Sequence, residues 1–125
     1  TTDVLMLKKM GTPFDYPKDV EIVKEHILAA TKSEDIVLDF FAGSCTTAHA
    51  VMLANAEDGG NRKFIMVQSD EKCGKPSSAH SAGFRYISEV GMERIRRSGD
   101  KVLGDKCHDN WNRDVGFKVY RSCNL

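Results

Sequence analysis

The chain has 125 residues, enough for one compact domain with a single core and too few for two. Lys plus Arg and Asp plus Glu both number 18, so it lacks the basic excess that a free-standing DNA-binding domain usually carries. Four cysteines, at 45, 73, 107 and 123, show no CxxC spacing, and the chain is not the short, Cys-dense kind that needs disulfide staples. The set Cys73, His80, Cys107 and His108 fits no common zinc spacing either, so free thiols in a reducing compartment are expected. The start shows no basic region followed by an apolar run, and no stretch approaches the ~20 apolar residues that span a bilayer. The expectation is a soluble, cytoplasmic protein with no membrane partner.

In chain order, residues 1–12 have no sustained period and read as a leader or a cut end, leaving 13–125 as the domain. Pro17 suits the first turn of a helix, with Asp15 close by as a cap. Val20, Val23, Ile27 and Ala30 then recur at helical spacing, and this helix should end near Ser33. Residues 35–41 (DIVLDFF) form a short apolar run with β-branched residues at its start, as a buried strand should. Ala42, Gly43 and Ser44 make a tight turn, and a helix runs from Thr46 to about Glu57 with Ala48, Val51 and Met52 inward. Asp58-Gly59-Gly60-Asn61 stops it.

Residues 63–68 (KFIMVQ) are a second apolar strand, and the polar stretch 69–81 is a loop. From about Gly83 to about Leu103 a long helix places Ile87, Val90, Gly91 and Ile95 on one face. A second polar loop carries Trp111, which can plug the core or face another domain. Residues 115–120 (VGFKVY) look like a third strand. This alternation predicts an α/β fold with a three-stranded parallel sheet and right-handed crossovers, the first strand at an edge and the second in the middle. So small a parallel sheet looks incomplete, because such sheets are normally covered on both faces.

Chemistry concentrates in Asp39-Phe40-Phe41-Ala42-Gly43-Ser44-Cys45-Thr46-Thr47, which leaves a buried strand, turns through small residues and enters a helix. Ligands of open α/β sheets bind beyond the C-terminal ends of the strands. A helix N-terminus there presents free N–H groups and partial positive charge, suited to a carboxylate or phosphate. The segment lacks the Gly-Lys-Ser/Thr of a P-loop and the G-x-G-x-x-G of dinucleotide binders, which disfavours an NAD-dependent oxidoreductase. An acid at the strand end followed by paired threonines suits a ligand with both an ammonium and a carboxylate. The amino-acid end of S-adenosylmethionine has both.

DIVLDFFAGSCTTAHAV closely resembles the first cofactor motif of DNA amino-methyltransferases, usually Asp-Phe-Phe-Ala-Gly-Ser-Gly-Thr-Thr. Phe14-Asp15-Tyr16-Pro17-Lys18 looks like the motif that precedes it in the permuted β-class. NRKFIMVQ, GFRYISEVGMERIRRS and DVGFKVY resemble the modification subunit of type III restriction-modification systems, which methylates adenine. The resemblance implies a Rossmann-like, S-adenosylmethionine-dependent methyltransferase fold, present here in part, and a site-specific adenine-N6 DNA methyltransferase as the whole enzyme. It implies that Asp39 lies near the methionine ammonium, and that Phe41, Ala42, Gly43 and Ser44 wrap the cofactor. Thr46 and Thr47 would hold its carboxylate, while Phe14 and Lys18 close over the methionine end. Gln68 occupies the position of the usual ribose-binding acid, with Asp70 or Glu71 as substitutes slightly further on. DNA, a catalytic and target-recognition half, and a restriction subunit are the implied partners.

Two departures matter. Cys45 stands where the family has its second glycine, and a side chain there brings bulk where the backbone should approach the ligand. The family's Asp-Pro-Pro-Tyr-type catalytic motif is also missing, since the only prolines are Pro13, Pro17 and Pro76. The segment is therefore expected to bind cofactor without doing chemistry alone. The alternative is an assembly module whose pocket Cys45 has degraded. Glu93, Arg94, Arg96, Arg97 and Lys101 read as a solvated, charge-paired helix face, with DNA phosphates as the other option. His26, His49 and His80 read as surface or core-edge residues.

Overall fold

The computed structural model describes residues 20–73 and 83–122. Phe14, Lys18, the helix start at Pro17 and His80 lie outside them. The described chain is α/β: α1 (Val20–Ala30), β1 (Ile36–Asp39), α2 (Thr46–Asp58), β2 (Lys63–Met66) and α3 (Ile87–Gly104). β1 and β2 pair in parallel, with Leu38 opposite Ile65 and Asp39 opposite Met66. The α2 crossover between them is the expected βαβ unit.

The two faces of this sheet differ. Val37, Phe64 and Met66 point into a core built with the helices: α2 puts Ala50, Val51 and Ala54 against Val20 and Ile27 of α1, and Ala48, Met52 and Ala56 against Ile95 and Val102 of α3. That burial on two sides explains why α2 is rich in alanine and shows no polar stripe. On the opposite face Ile36, Leu38, Phe40 and Ile65 are each at least half exposed, with Val67 beside them. Parallel sheets are normally covered on both sides, so this apolar face is bare by the standards of its own architecture.

At the opposite end of the strands from the turn into α2, the buried Arg62 closes the unit. It forks onto Asp58 at 2.8 and 2.9 Å and bonds Thr31 Oγ1 at 2.7 Å, while its backbone exchanges bonds with the Asn55 side chain at 3.0 Å. Gly59 supplies the left-handed C-cap of α2 at φ 73°. α3 starts where the Glu89 carboxylate accepts from the N–H groups of Arg85 and Tyr86, and the Ile87 N–H donates to Glu71 O.

Two expectations are corrected. Among the described residues the sheet has two strands, and residues 115–120 carry none. Val115 and Phe117 pack against the α2–α3 core instead, Val115 over Gly99 and Phe117 beneath the Arg96 guanidinium at 5.8 Å. Side-chain acceptors on Asn112 and Asp114 take the N–H groups of Asp114 and Gly116, turning the backbone locally. His49, read as a surface or core-edge residue, is wholly buried on α2. A guanidinium only donates, so Arg94 Nη2 donates to His49 Nδ1 at 3.1 Å and the ring proton sits on Nε2. Burial first, then the charges of Arg94 and Lys101, push the imidazole pKa down to about 3. Trp111, left open by the sequence, is buried in the core near Ala56 and Val102.

The β1–α2 turn needs a left-handed residue, and Cys45 supplies it at φ 61°, ψ 38°. Its side chain is buried toward α3, where a Cβ on Gly91 would come within 2.6 Å of Sγ and 3.1 Å of Gly43 O. Gly91→Ala ordinarily gains about 1 kcal/mol of helix propensity. Here the overlap wins, because the thiol is enclosed, and a net loss of roughly 1–3 kcal/mol is expected. In a Cys45→Gly background the loss should largely disappear; urea unfolding of the four proteins checks it, and additive effects would refute the contact. A second expectation follows from His49. An unfolded histidine titrates near 6.5 while the folded one stays neutral to about 3, so its contribution is intact above pH 6.5 and declines below it. The decline is about 1.4 kcal/mol per pH unit at most. The urea midpoint should drop between pH 7.5 and 5.0, and drop less in His49→Gln. An equal drop in both would show that His49 is not its source; Asp58 and Glu93, held low by hydrogen bonds from Arg62 and Arg97, lose their contribution only as the pH falls to about 4 and below.

Candidate functional site

The site grows from the turn that joins β1 to α2. Asp39 ends the strand, and its carboxylate closes the turn from two sides. Oδ1 accepts from the Phe41 N–H at 2.9 Å, and Oδ2 accepts from the Thr47 hydroxyl at 2.7 Å. Ala42 extends the ladder by donating to Val67 O at 3.1 Å. Gly43 follows at φ 54°, and its N–H donates to Gln68 Oε1 at 2.7 Å, tying the turn to the end of β2. Cys45 is the N-cap of α2 and makes no side-chain cap bond. The N–H groups of the first helical turn are thus left to whatever lies beyond it.

A cleft of about 260 Å³ opens here, beyond the C-terminal ends of both strands. Phe40, Phe41, Gly43, Gln68, Ser69, Glu71 and Ile87 line it. Among the residues singled out in sequence, Phe41, Gly43 and Gln68 stand on the cleft, with Phe41 almost fully exposed. Glu71 is the second acid suggested for the ribose, and it lines the cleft while Asp70 does not. Ala42, Ser44 and Thr46 are buried under the turn. The Ser44 and Thr46 hydroxyls face Arg94, and the Thr47 hydroxyl faces Asp39, so what the turn leaves for a ligand is chiefly backbone.

The Cys45 thiol does not crowd this cleft. Its bulk goes into the helix interface at Gly91, and burial raises its pKa to about 11, so it is a packing group and no nucleophile. What remains of the glycine's absence is the left-handed backbone on a non-glycine residue, worth about 1 kcal/mol.

Sequence reasoning missed Arg94. It sits in a run of charges read as a solvated face, yet it has no exposed surface, and its Nη1 donates to Thr46 Oγ1 at 2.7 Å and to Ser44 Oγ at 3.1 Å. A signal was present: Arg94 lies one helical turn from both Val90 and Ser98, on the line that is buried through Val102. Its neighbours Arg96 and Arg97 do lie outward, both bonded to Glu93. Among the described residues, no three metal-ligating side chains converge and no helix is long and apolar enough to cross a membrane.

Residues 4–79 match the sequence profile of a DNA methylase family. The chain is 44% identical over 108 residues to the Mod subunit of the type III restriction-modification enzyme StyLTI of Salmonella typhimurium, covering 86% of this chain and 16% of that protein. The EcoP15I Mod subunit of Escherichia coli is 39% identical over 116 residues, covering 93% and 16%. The type II methyltransferase M.KpnI of Klebsiella pneumoniae is 40% identical over 87 residues, covering 70% and 21%. The chain thus spans about a sixth to a fifth of the length of these relatives, and the stretch they share contains the whole Asp39–Thr47 turn. This chain belongs to the DNA methylase family.

Proposed function

We propose that this chain is the S-adenosylmethionine-binding part of an adenine-N6 DNA methyltransferase that serves a restriction-modification system in the cytoplasm. The observation that carries the reading is the uncapped N-terminus of α2, set on a left-handed turn beside a cleft at the strand ends. Free N–H groups and the helix dipole suit a carboxylate. Asp39 supplies negative charge at the neighbouring strand end, suited to an ammonium, and Glu71 on the cleft wall offers acceptors for ribose hydroxyls. Phe40 and Phe41 offer apolar surface. These donors and acceptors support the reading, although Asp39 stands beside the cleft and its carboxylate is shared with Phe41 and Thr47. When bound, the cofactor supplies a methyl group attached to a sulfonium centre. The residues of this chain bind and orient it: the α2 first turn and Asp39 grip the amino-acid end, and Gln68 keeps the turn in register with β2 through Gly43. Phe14 and Lys18 close over the methionine end in this reading.

The cleft is below the ~300–1,000 Å³ usual for ligand pockets, and the β1–β2 face opposite the helices is bare. Both fit a pocket completed by the rest of the enzyme, with β1 and β2 as two strands of a larger Rossmann-like sheet. That remainder would contribute the Asp-Pro-Pro-Tyr-type site and target recognition, with DNA and a restriction subunit as partners of the whole. The rival, an assembly module with a ruined pocket, loses its main support because Cys45 points into the helix interface.

Calorimetric titration with S-adenosylmethionine tests the binding role. Asp39→Ala should weaken affinity by roughly 1–3 kcal/mol, the range for hydrogen bonds to charged groups. Unchanged affinity in Asp39→Ala and in Glu71→Gln would place the cofactor elsewhere. The isolated chain should transfer no labelled methyl group to adenine-containing duplex DNA. Turnover above background that is lost in Asp39→Ala would show that the catalytic groups are within these 125 residues after all.

A further inference from the structure

Asp39 and Gln68 fasten the turn at Thr47 and at Gly43. Between them the second left-handed residue is a cysteine, not a glycine, and it gives α2 no side-chain cap. The side chains on either side of Cys45 need a hold of their own. The group in place is Arg94, which reaches across from α3, 48 residues away in sequence from Thr46, with its side chain wholly buried.

A helix that only needed to pack on α2 would carry an aliphatic residue there, like Val90 and Val102 on the same line. Burying a guanidinium forfeits a large hydration energy. Here its terminal nitrogens bond to the turn and to α2. One nitrogen bridges the hydroxyls of Ser44 and Thr46, which are themselves 3.3 Å apart, and the other reaches His49 one turn further along α2. The hydroxyls that flank Cys45 are thereby fixed on both sides. The His49 ring accepts this bond as a neutral imidazole, so His49 adds no charge of its own at the α2 N-terminus.

We propose that Arg94 is the positioning residue of the cofactor turn. It holds Ser44 and Thr46 so that the left-handed backbone at Cys45 is set before a ligand arrives, and the N–H groups of the α2 first turn are thereby aimed at a ligand's anionic end. The second half rests on the cofactor reading above; the first does not. Preorganisation of this kind removes an ordering cost that binding would otherwise carry.

The experiment compares the wild-type chain with Arg94→Met by two readouts. The first is thiol labelling with mass spectrometry, which reports each cysteine separately. Cys45 is buried under the held turn, and Cys73 is buried elsewhere, against Val90. In Arg94→Met, Cys45 labelling should accelerate at least tenfold while Cys73 changes less than twofold and helical circular dichroism is kept. The second is affinity for S-adenosylhomocysteine and for methylthioadenosine, which lacks the amino-acid end. The first should bind at least tenfold more weakly, and the second within threefold of wild type. Protection of Cys45 in a folded Arg94→Met chain, or equal loss for both ligands, would overturn the assignment. If Arg94→Met does not fold, Ser44→Ala with Thr46→Val removes the same acceptors with little change of shape and must expose Cys45 selectively. If wild type binds neither nucleoside, the cofactor reading fails, and the labelling still decides whether Arg94 holds the turn.

Discussion

Everything at this site depends on one close approach: α3 crosses the β1–α2 turn at Gly91, where no Cβ intervenes, so a left-handed residue with a side chain fits beneath it. The turn directs the N-terminus of α2 and sets Gly43 at the cleft. It also brings Asp39, Thr47 and Gln68 within hydrogen-bond reach of one another's elements. A larger residue at 91 would displace either the thiol or the Gly43 carbonyl, and both belong to the turn. The swap of the family's second glycine for Cys45 is therefore a paired matter between the turn and the helix that packs on it. Considered from the turn alone, it looks like damage to the ligand site.

That pairing explains where the sequence was legible and where it was not. Residues 36–39 and 63–66 are short apolar runs bounded by turn residues, and their parallel pairing followed from the helix between them. The Asp39–Thr47 segment combines a strand end, small residues and a helix start within nine positions, so its role in the fold was readable locally. Residues 115–120 alternate apolar and polar side chains like a strand, but alternation records only which side chains turn inward. Val115 and Phe117 found their partners on α3, and among the described residues no strand pairs with their backbone.

The hidden part of the site is long-range. Arg94 and His49 are polar residues whose burial depends on each other, across 45 positions of sequence. Composition treats an arginine among arginines as solvated, and only the helical phase of Val90, Ser98 and Val102 argued otherwise. The direction of the Cys45 side chain was equally out of reach, because it is decided by the absence of an atom at Gly91. The Thr46 and Thr47 hydroxyls, natural candidates for a ligand's carboxylate, are engaged by Arg94 and Asp39. The turn's backbone then becomes the main donor set, which is how helix N-termini commonly meet anions.

In the proposed reading the turn and the cleft form one cofactor site. Amide chemical shifts of the isotopically labelled chain, followed through a titration with S-adenosylhomocysteine, test it most directly. Saturable shifts are expected at the N–H groups of Gly43 and residues 45–48, with a second group around Ser69 and Glu71. Little should change near Arg62 at the opposite end of the strands. Shifts centred on the Arg62 end, or none at saturating ligand with the fold intact, would contradict it.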